Sequence, residues 1–296
     1  MKRWRYAANM GIGDIRVILK FNEDCSNMGL DTISAGNVCA WAMELFERGI
    51  LTKKDTGGLD LKFGNVEAAV ALPQLIATRK SIGNVLAEGV AQASKQIGKS
   101  SERYAVHAKG LEYPGYDPRA TFGMALAYAT SERGADHNRA WPVGYDAFGK
   151  LDPFTPDGKA EIVQTDQIRT SVKWSIEMCD FLAANLALCA RLLNVACETN
   201  YTEETMKTMG KRIWTLARLF NVREGFSKKD DIMPPRMYLD PLPDGNAKGK
   251  VVTTQDFEKM LTEYYHIWGW DDQGKPTAVG IQELGLAELG AQHRQK

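Results

Sequence analysis

The chain has 296 residues, 44% apolar and 25% charged, a balance that fits a folded globular protein and excludes disorder, collagen and coiled coil. Its 37 basic and 37 acidic side chains cancel, so no net field draws in polyanions or an acidic membrane, and no nucleic acid partner is expected. No apolar run approaches the ~20 residues that cross a bilayer, and the start MKRWRYAANMG lacks the apolar core of a secretory signal; a cytoplasmic protein of two helical lobes is the expectation.

Apolar residues recur at helical spacing over 15–47, interrupted by the turn-prone MGLDTISAGN at 28–37, which predicts helix, loop, helix. Gly49 fits a helix stop, and the alternation LDLKF at 59–63 suggests a short extended piece. Asn65 is an expected N-cap for a helix reaching about Arg79, and the pattern restarts over 81–96 until Gly98 ends it. AKGLEYPGYDPR at 108–119 has two glycines and two prolines and reads as a structured loop. A helix is expected over 121–132, a break at 134–144, and an exposed insertion at 144–158. Long helices are expected over 161–196 and 202–220, the second opened by Thr202 with Glu203 and Glu204 in capping-box style. The Pro-, Gly- and Asp-rich stretch 230–250 should wrap the surface before a last amphipathic helix over 254–267.

Five cysteines, Cys25, Cys39, Cys179, Cys189 and Cys197, with no CxxC pair, predict reduced thiols and no self-sufficient zinc or iron–sulfur site. On one helix over 161–196, Cys179 and Cys189 stand ~15 Å apart along the axis, too far for one cluster. Each reads first as a small buried hydrophobe.

Gly29-Leu30-Asp31-Thr32-Ile33-Ser34 lies between two expected helices. Glycine lets a ligand approach the backbone, and Asp31 either accepts from ring N–H groups or caps the next helix, the commoner use. Tyr116-Asp117-Pro118-Arg119 and the segment 133–139 are polar breaks at the two ends of one apolar helix. A histidine that carries protons near neutral pH and a phenol that donates to a polarised carbonyl make His137 and Tyr116 suited to carbonyl chemistry. A structural histidine beside ion-paired arginines is an equal reading. The basic and aromatic run 211–226 is neutralised locally by Glu224, Asp230 and Asp231 and reads as a solvated helix end, while Tyr264, Tyr265, Trp268 and Trp270 read as a packed corner. His107, His266 and His293 read as structural.

In order and wording, several segments resemble the tungsten-containing aldehyde:ferredoxin oxidoreductases: GLDTISAGN, AMELFERG at 42–49, LAEGV at 86–90, AKGLEYPGYDPR and YATSERGADH at 128–137. RLFNVREGF at 218–226, KKDDIMPPR at 228–236 and EYYHIWGWDDQGKPT at 263–277 continue the match. The resemblance implies a mainly α chain of two packed helical lobes, similar to that family's domains 2 and 3, with the N-terminal β domain absent. Domain 2 is expected at 1–106, partial at its N-terminus, and domain 3 at 107–296.

It further implies a tungsten or molybdenum bis-pterin, small aldehydes oxidised to carboxylic acids, and electrons passed through a [4Fe-4S] cluster to ferredoxin. Gly29, Leu30 and Asp31 correspond to the first DxxGL-type pterin segment, whose first Asp is replaced by Ser26. Asp180 begins the second, which lacks its glycine and its cysteine; Cys189 is the candidate cluster ligand, and the cluster is incomplete in this chain. His137 matches the active-site histidine, Arg139 a basic residue near the pterin, and Tyr116 a substrate-pocket tyrosine. The family's nearby glutamate has no substitute in MKRWRY, and Trp268 stands where the family has arginine. Asp31, Tyr116, His137 and Asp180 are thereby expected to face one ligand. The expected partners are the missing β domain or a subunit carrying it, ferredoxin, and a second copy of the chain. The chain by itself is expected to be inactive, as a fragment or a split subunit. The alternatives are a non-catalytic helical cover or interaction subunit, a truncated inactive relative, and a branch of the family acting on a different carbonyl or a thioester substrate.

Overall fold

Asp14, Asp31 and Asn65 stand in extended backbone, and the side chain of each accepts a backbone N–H two or three residues on. Each thereby satisfies a donor that the first helical turn leaves open. The structure is a computed structural model describing residues 9–149 and 151–287; the MKRWRY start and His293 lie outside the described residues. The chain divides into two compact units. The first holds the residues up to 117 with 133–135 and 233–240, and the second holds 118–132, 136–232 and those from 241 on.

In the first unit the capped helices are α1 (Ile15–Asn27), α2 (Thr32–Glu47) and α3 (Val66–Thr78), followed by α4 (Gly83–Leu86) and α5 (Gly89–Ile97). Phe21, Cys39, Trp41, Met43, Leu72 and Leu86 belong to one apolar core between them. Because the Asp31 cap starts α2 at Thr32, the loop expected over 28–37 shrinks to its first residues. The 59–63 alternation forms no strand. Instead a hairpin the sequence reading missed, β1 (His107–Ala108) with β2 (Leu111–Glu112), sits in the 108–119 loop. It turns at Lys109 and Gly110, both with positive φ. Arg236 of the returning segment, within α11 (Pro235–Leu239), lies 2.5 Å from Glu44.

The second unit is organised around α6 (Phe122–Thr130), all nine of whose residues are buried. FGMALAYAT has no charge on any face, which is the pattern of a helix enclosed on all sides. It packs on α8 (Lys159–Ser175), which also meets α9 (Leu186–Cys197), α10 (Glu203–Arg223) and α12 (Thr254–Trp268). Gly210 permits the α8–α10 approach, since a Cβ there would stand 2.5 Å from the carbonyl oxygen of Ile168. Tyr264 donates to Gln167 at 2.7 Å and accepts from the Trp214 indole at 2.9 Å, which satisfies three buried polar side chains. Trp268 stacks on Trp270 with ring centres 5.6 Å apart, so the expected aromatic corner is a packed one. The capping box of α10 uses Thr205 rather than a glutamate: its hydroxyl accepts the Thr202 N–H at 2.7 Å.

Two expectations fail in this unit. The stretch 144–158 is not simply an exposed insertion. It follows directly on the start of α7 (Val143–Ala147), and Asp146 pairs at 2.6 Å with Lys159, which is fully buried and also donates to the Asp152 carbonyl at 2.7 Å. The single helix over 161–196 is two, because the chain unwinds between Ser175 and Leu186. Lys173 donates to the carbonyls of Asp180 and Leu182, each at 2.9 Å, and Asn185 caps α9 by accepting from Leu188. Backbone groups released from the helix thus find partners in a side chain. Cys179 therefore lies exposed in a loop while Cys189 is buried on α9, so the one-helix spacing argument does not apply to them. After α12 comes α13 (Ala278–Glu283).

Candidate functional site

In the first unit, Gly29 has φ +69° and open space around the position of a Cβ. Leu30 packs against the core, and exposed Asp31 accepts the Ser34 N–H at 2.8 Å. Asp31 is thus a helix cap beside an open stretch of backbone. Tyr116 is half-buried, and its N–H donates to Pro114 at 2.8 Å. Asn37 of α2 donates to the Tyr113 carbonyl at 2.8 Å, which ties that helix to the loop carrying Tyr116.

In the second unit, His137, Arg139 and Asp180 are brought together through three aromatic rings. His137 is 7% exposed, its Nδ1 3.9 Å from Asp136 and its ring centre 5.8 Å from that of Trp141. Trp141 in turn meets Phe181 edge-on at 6.0 Å. The Arg139 guanidinium pairs with Glu132 and lies 4.1 Å over the Trp174 ring, and the Trp174 indole N–H donates to the Asp180 carboxylate. A cation held by a carboxylate on one side and a π-face on the other is fixed in position.

Behind these residues stands Asp166, which accepts the Trp141 N–H at 2.9 Å and pairs with Arg169 at 2.7 Å. Burial raises its carboxyl above the ordinary range, against the opposing pull of Arg169, the Trp141 N–H and Tyr145. Burial likewise lowers Lys173, although Asp180 favours its charged form. Asp166, Lys173, Trp174 and Phe181 were missed in the sequence.

Cys189 is in a different setting. It is fully buried in an apolar cluster with Val172, Ala184, Ala190 and Met206, and burial raises its thiol against the pull of Lys173. Among the described residues no group of three or more His, Cys, Asp or Glu side chains is placed to hold a metal ion. No described helix is long and apolar enough to cross a membrane.

Comparison with known proteins agrees with this architecture. A family model described as aldehyde ferredoxin oxidoreductase, domains 2 & 3, matches residues 1–286. The chain is 35% identical over 294 residues to the tungsten-containing aldehyde ferredoxin oxidoreductase of Pyrococcus furiosus, covering 97% of this chain and 48% of that one. Its identity to the Thermococcus kodakarensis enzyme of the same name is 34%, with the same coverage. An aliphatic sulfonate oxidoreductase, WOR-like subunit, of Pyrococcus furiosus is 30% identical, with 95% and 44% covered. Among solved structures, a chain of the active site complex BamBC of benzoyl coenzyme A reductase has the same fold, with a TM-score of 0.79 at 23% identity over 99% of this chain and 49% of that one. The chain spans about half the length of the curated relatives it matches. It belongs to the aldehyde ferredoxin oxidoreductase family and corresponds to that family's domains 2 and 3.

Proposed function

We propose that this chain is the helical part of an aldehyde-oxidising enzyme, completed by domain 1 and a tungsten or molybdenum bis-pterin, and inactive without them. The single observation that carries the reading is the gathering of His137, Arg139 and Asp180 around Trp141, Trp174 and Phe181. The donor set fits a flat, polar, anionic cofactor. In the second unit, the held guanidinium of Arg139 suits a phosphate or a ring carbonyl; in the first, taken by itself, the open backbone at Gly29 and the exposed carboxylate of Asp31 suit ring N–H groups. When bound, the group supplies the two-electron chemistry that turns an aldehyde into a carboxylic acid.

The chain's own side chains position and protonate. His137, nearly enclosed and backed by Trp141 and Asp136, holds a proton toward the carbonyl oxygen of a small aldehyde. Tyr116, in the first unit, keeps its assignment as a hydrogen-bonding residue on the resemblance alone. Arg139 and Asp180, linked through Trp174, keep the pterin-facing polar groups at fixed positions. Phe181 and Trp141, in edge-on contact, give this surface an apolar border. Electron transfer to ferredoxin and a cytoplasmic location belong to this reading as expectations from the family. Because the cluster motif is incomplete in this chain, no step is assigned to a cluster through it.

The incomplete cluster motif favours a second reading, a helical cover subunit that has lost catalysis. Viologen reduction by small aldehydes, measured on the chain together with domain 1, separates the two. Turnover that requires tungsten or molybdenum supports the enzyme, and a metal-free, inert assembly supports the cover.

A further inference from the structure

Lys173, on α8, is 4% exposed, and the proposed chemistry gives it no part. Lysine is rarely enclosed to this degree without partners, because taking an ammonium out of water is costly. Its ammonium donates to the carbonyls of Asp180 and Leu182, each at 2.9 Å. These carbonyls stand on either side of Phe181, so the backbone of that residue is held from both neighbours. Trp174, the next residue of α8, donates its indole N–H to the Asp180 carboxylate. Asp180 is therefore held twice, by its carbonyl through Lys173 and by its side chain through Trp174. The turn that brings it there is strained. Exposed Glu177 has φ +56°, in the left-handed region that is unfavourable for a residue with a Cβ. Such a conformation persists where its surroundings over-determine it. The Met178 N–H donates to the Lys173 carbonyl at 2.8 Å, so Lys173 holds the turn at its start with a carbonyl and at its end with an ammonium.

We infer that Lys173 is a positioning residue of the candidate site: its ammonium clamps the 176–185 loop and so fixes where Asp180 and Phe181 stand. Both of those residues reach the site's other groups. The indole that binds Asp180 carries Arg139 over its ring, and Phe181 meets Trp141 beside His137. An apolar side chain in place of Lys173 would fill the same space and leave two carbonyls without their donor. The loop would then keep only the Trp174 bond to Asp180, and the carboxylate would lose its fixed position. Lys173 acts through Asp180 and is assigned no contact with substrate or cofactor. The purpose of the clamp rests on the proposed site; the clamp itself belongs to this chain alone.

Hydrogen exchange of the chain itself tests the clamp. Lys173→Met keeps an unbranched side chain and removes the donor. Exchange across 178–184 should quicken by about tenfold or more, as expected when hydrogen bonds to a charged group are lost, while α10 and α12 exchange as in the natural chain. Should Lys173→Met not fold, Lys173→Gln, uncharged and too short to span both carbonyls, is read in the same way. A double-mutant cycle with Asp180→Ala, made in the assembly with domain 1, tests the positioning role. Each single variant should lower the tungsten or molybdenum retained on gel filtration by about tenfold, as for residues that orient a binding group from behind. The double variant should fall no further than Asp180→Ala alone, whereas a lysine with a purely structural role would add its own loss. Unchanged exchange across 178–184 overturns the clamp. Additive losses, or full metal content in Lys173→Met, overturn the positioning role. An assembly of the natural chain with domain 1 that holds no metal refutes the proposed enzyme, and the exchange measurement still decides the clamp.

Discussion

The guanidinium carbon of Arg139 lies 4.1 Å above the centre of the Trp174 ring. Since the same indole donates its N–H to Asp180, one side chain sets the positions of a cation and an anion that the family's pattern assigns to the cofactor. Replacing Trp174 with Phe keeps a ring under Arg139 and removes the donor to Asp180. The expected cost is about 1.5–3 kcal/mol in urea unfolding of the chain, as for a hydrogen bond to a charged group. In the assembly, cofactor content should fall more than stability does. A variant that retains full cofactor content would remove Trp174 from the site.

His137→Gln preserves hydrogen-bonding capacity and removes the proton carrier. The account predicts a loss of about 10²–10⁴ in kcat for aldehyde oxidation, with metal content and melting temperature unchanged. Undiminished kcat would return His137 to a structural role beside Trp141.

Asp166 gives the site a definite pH dependence. Its carboxyl is raised above 3.8 because burial penalises the charge more than Arg169 and the Trp141 N–H favour it. The folded state therefore holds this proton more tightly than the unfolded chain does. The stabilising contribution is fully present below 3.8 and is lost as pH rises through the raised folded value. Asp166→Asn removes that contribution, so its melting temperature relative to the natural chain should improve as pH rises from 3.8 toward neutrality. A difference constant across that range would contradict the assignment.

A buried ion pair holds the C-terminal corner. Arg218 meets Asp231 at 2.8 Å, Tyr265 donates to the same carboxylate at 2.6 Å, and Arg218 also donates to the Gly274 carbonyl at 2.6 Å. Asp231→Ala would leave a guanidinium buried without its carboxylate and should cost about 3–5 kcal/mol. Gly274→Ala should cost about 2 kcal/mol, because φ there is +72° and a Cβ would stand 2.3 Å from Arg218. Calorimetric melting of both variants measures the two costs; a smaller loss for Asp231→Ala than for Gly274→Ala would show that the pair contributes little.

The features legible in the sequence are those that local chemistry decides. Asp31, Asn65 and Thr202 were recognisable as caps because their side chains serve N–H groups within the next three residues. The corner of Tyr264, Tyr265, Trp268 and Trp270 was readable from its density of rings. The break between α8 and α9 was hidden because the apolar spacing runs on through it. What opens it is Lys173 reaching carbonyls seven and nine residues ahead. His137 and Arg139 were singled out by resemblance, but Asp166, twenty-five residues beyond Trp141, joins the site only when α8 is packed in place. Lys159 likewise looks like a surface lysine in sequence and is buried because Asp146 and the Asp152 carbonyl surround its ammonium.

The most direct test of the account is elemental analysis of the assembly containing this chain and domain 1. The account predicts about one tungsten or molybdenum per chain, with a lower content in Trp174→Phe. An assembly with domain 1 in place and neither metal bound would contradict it.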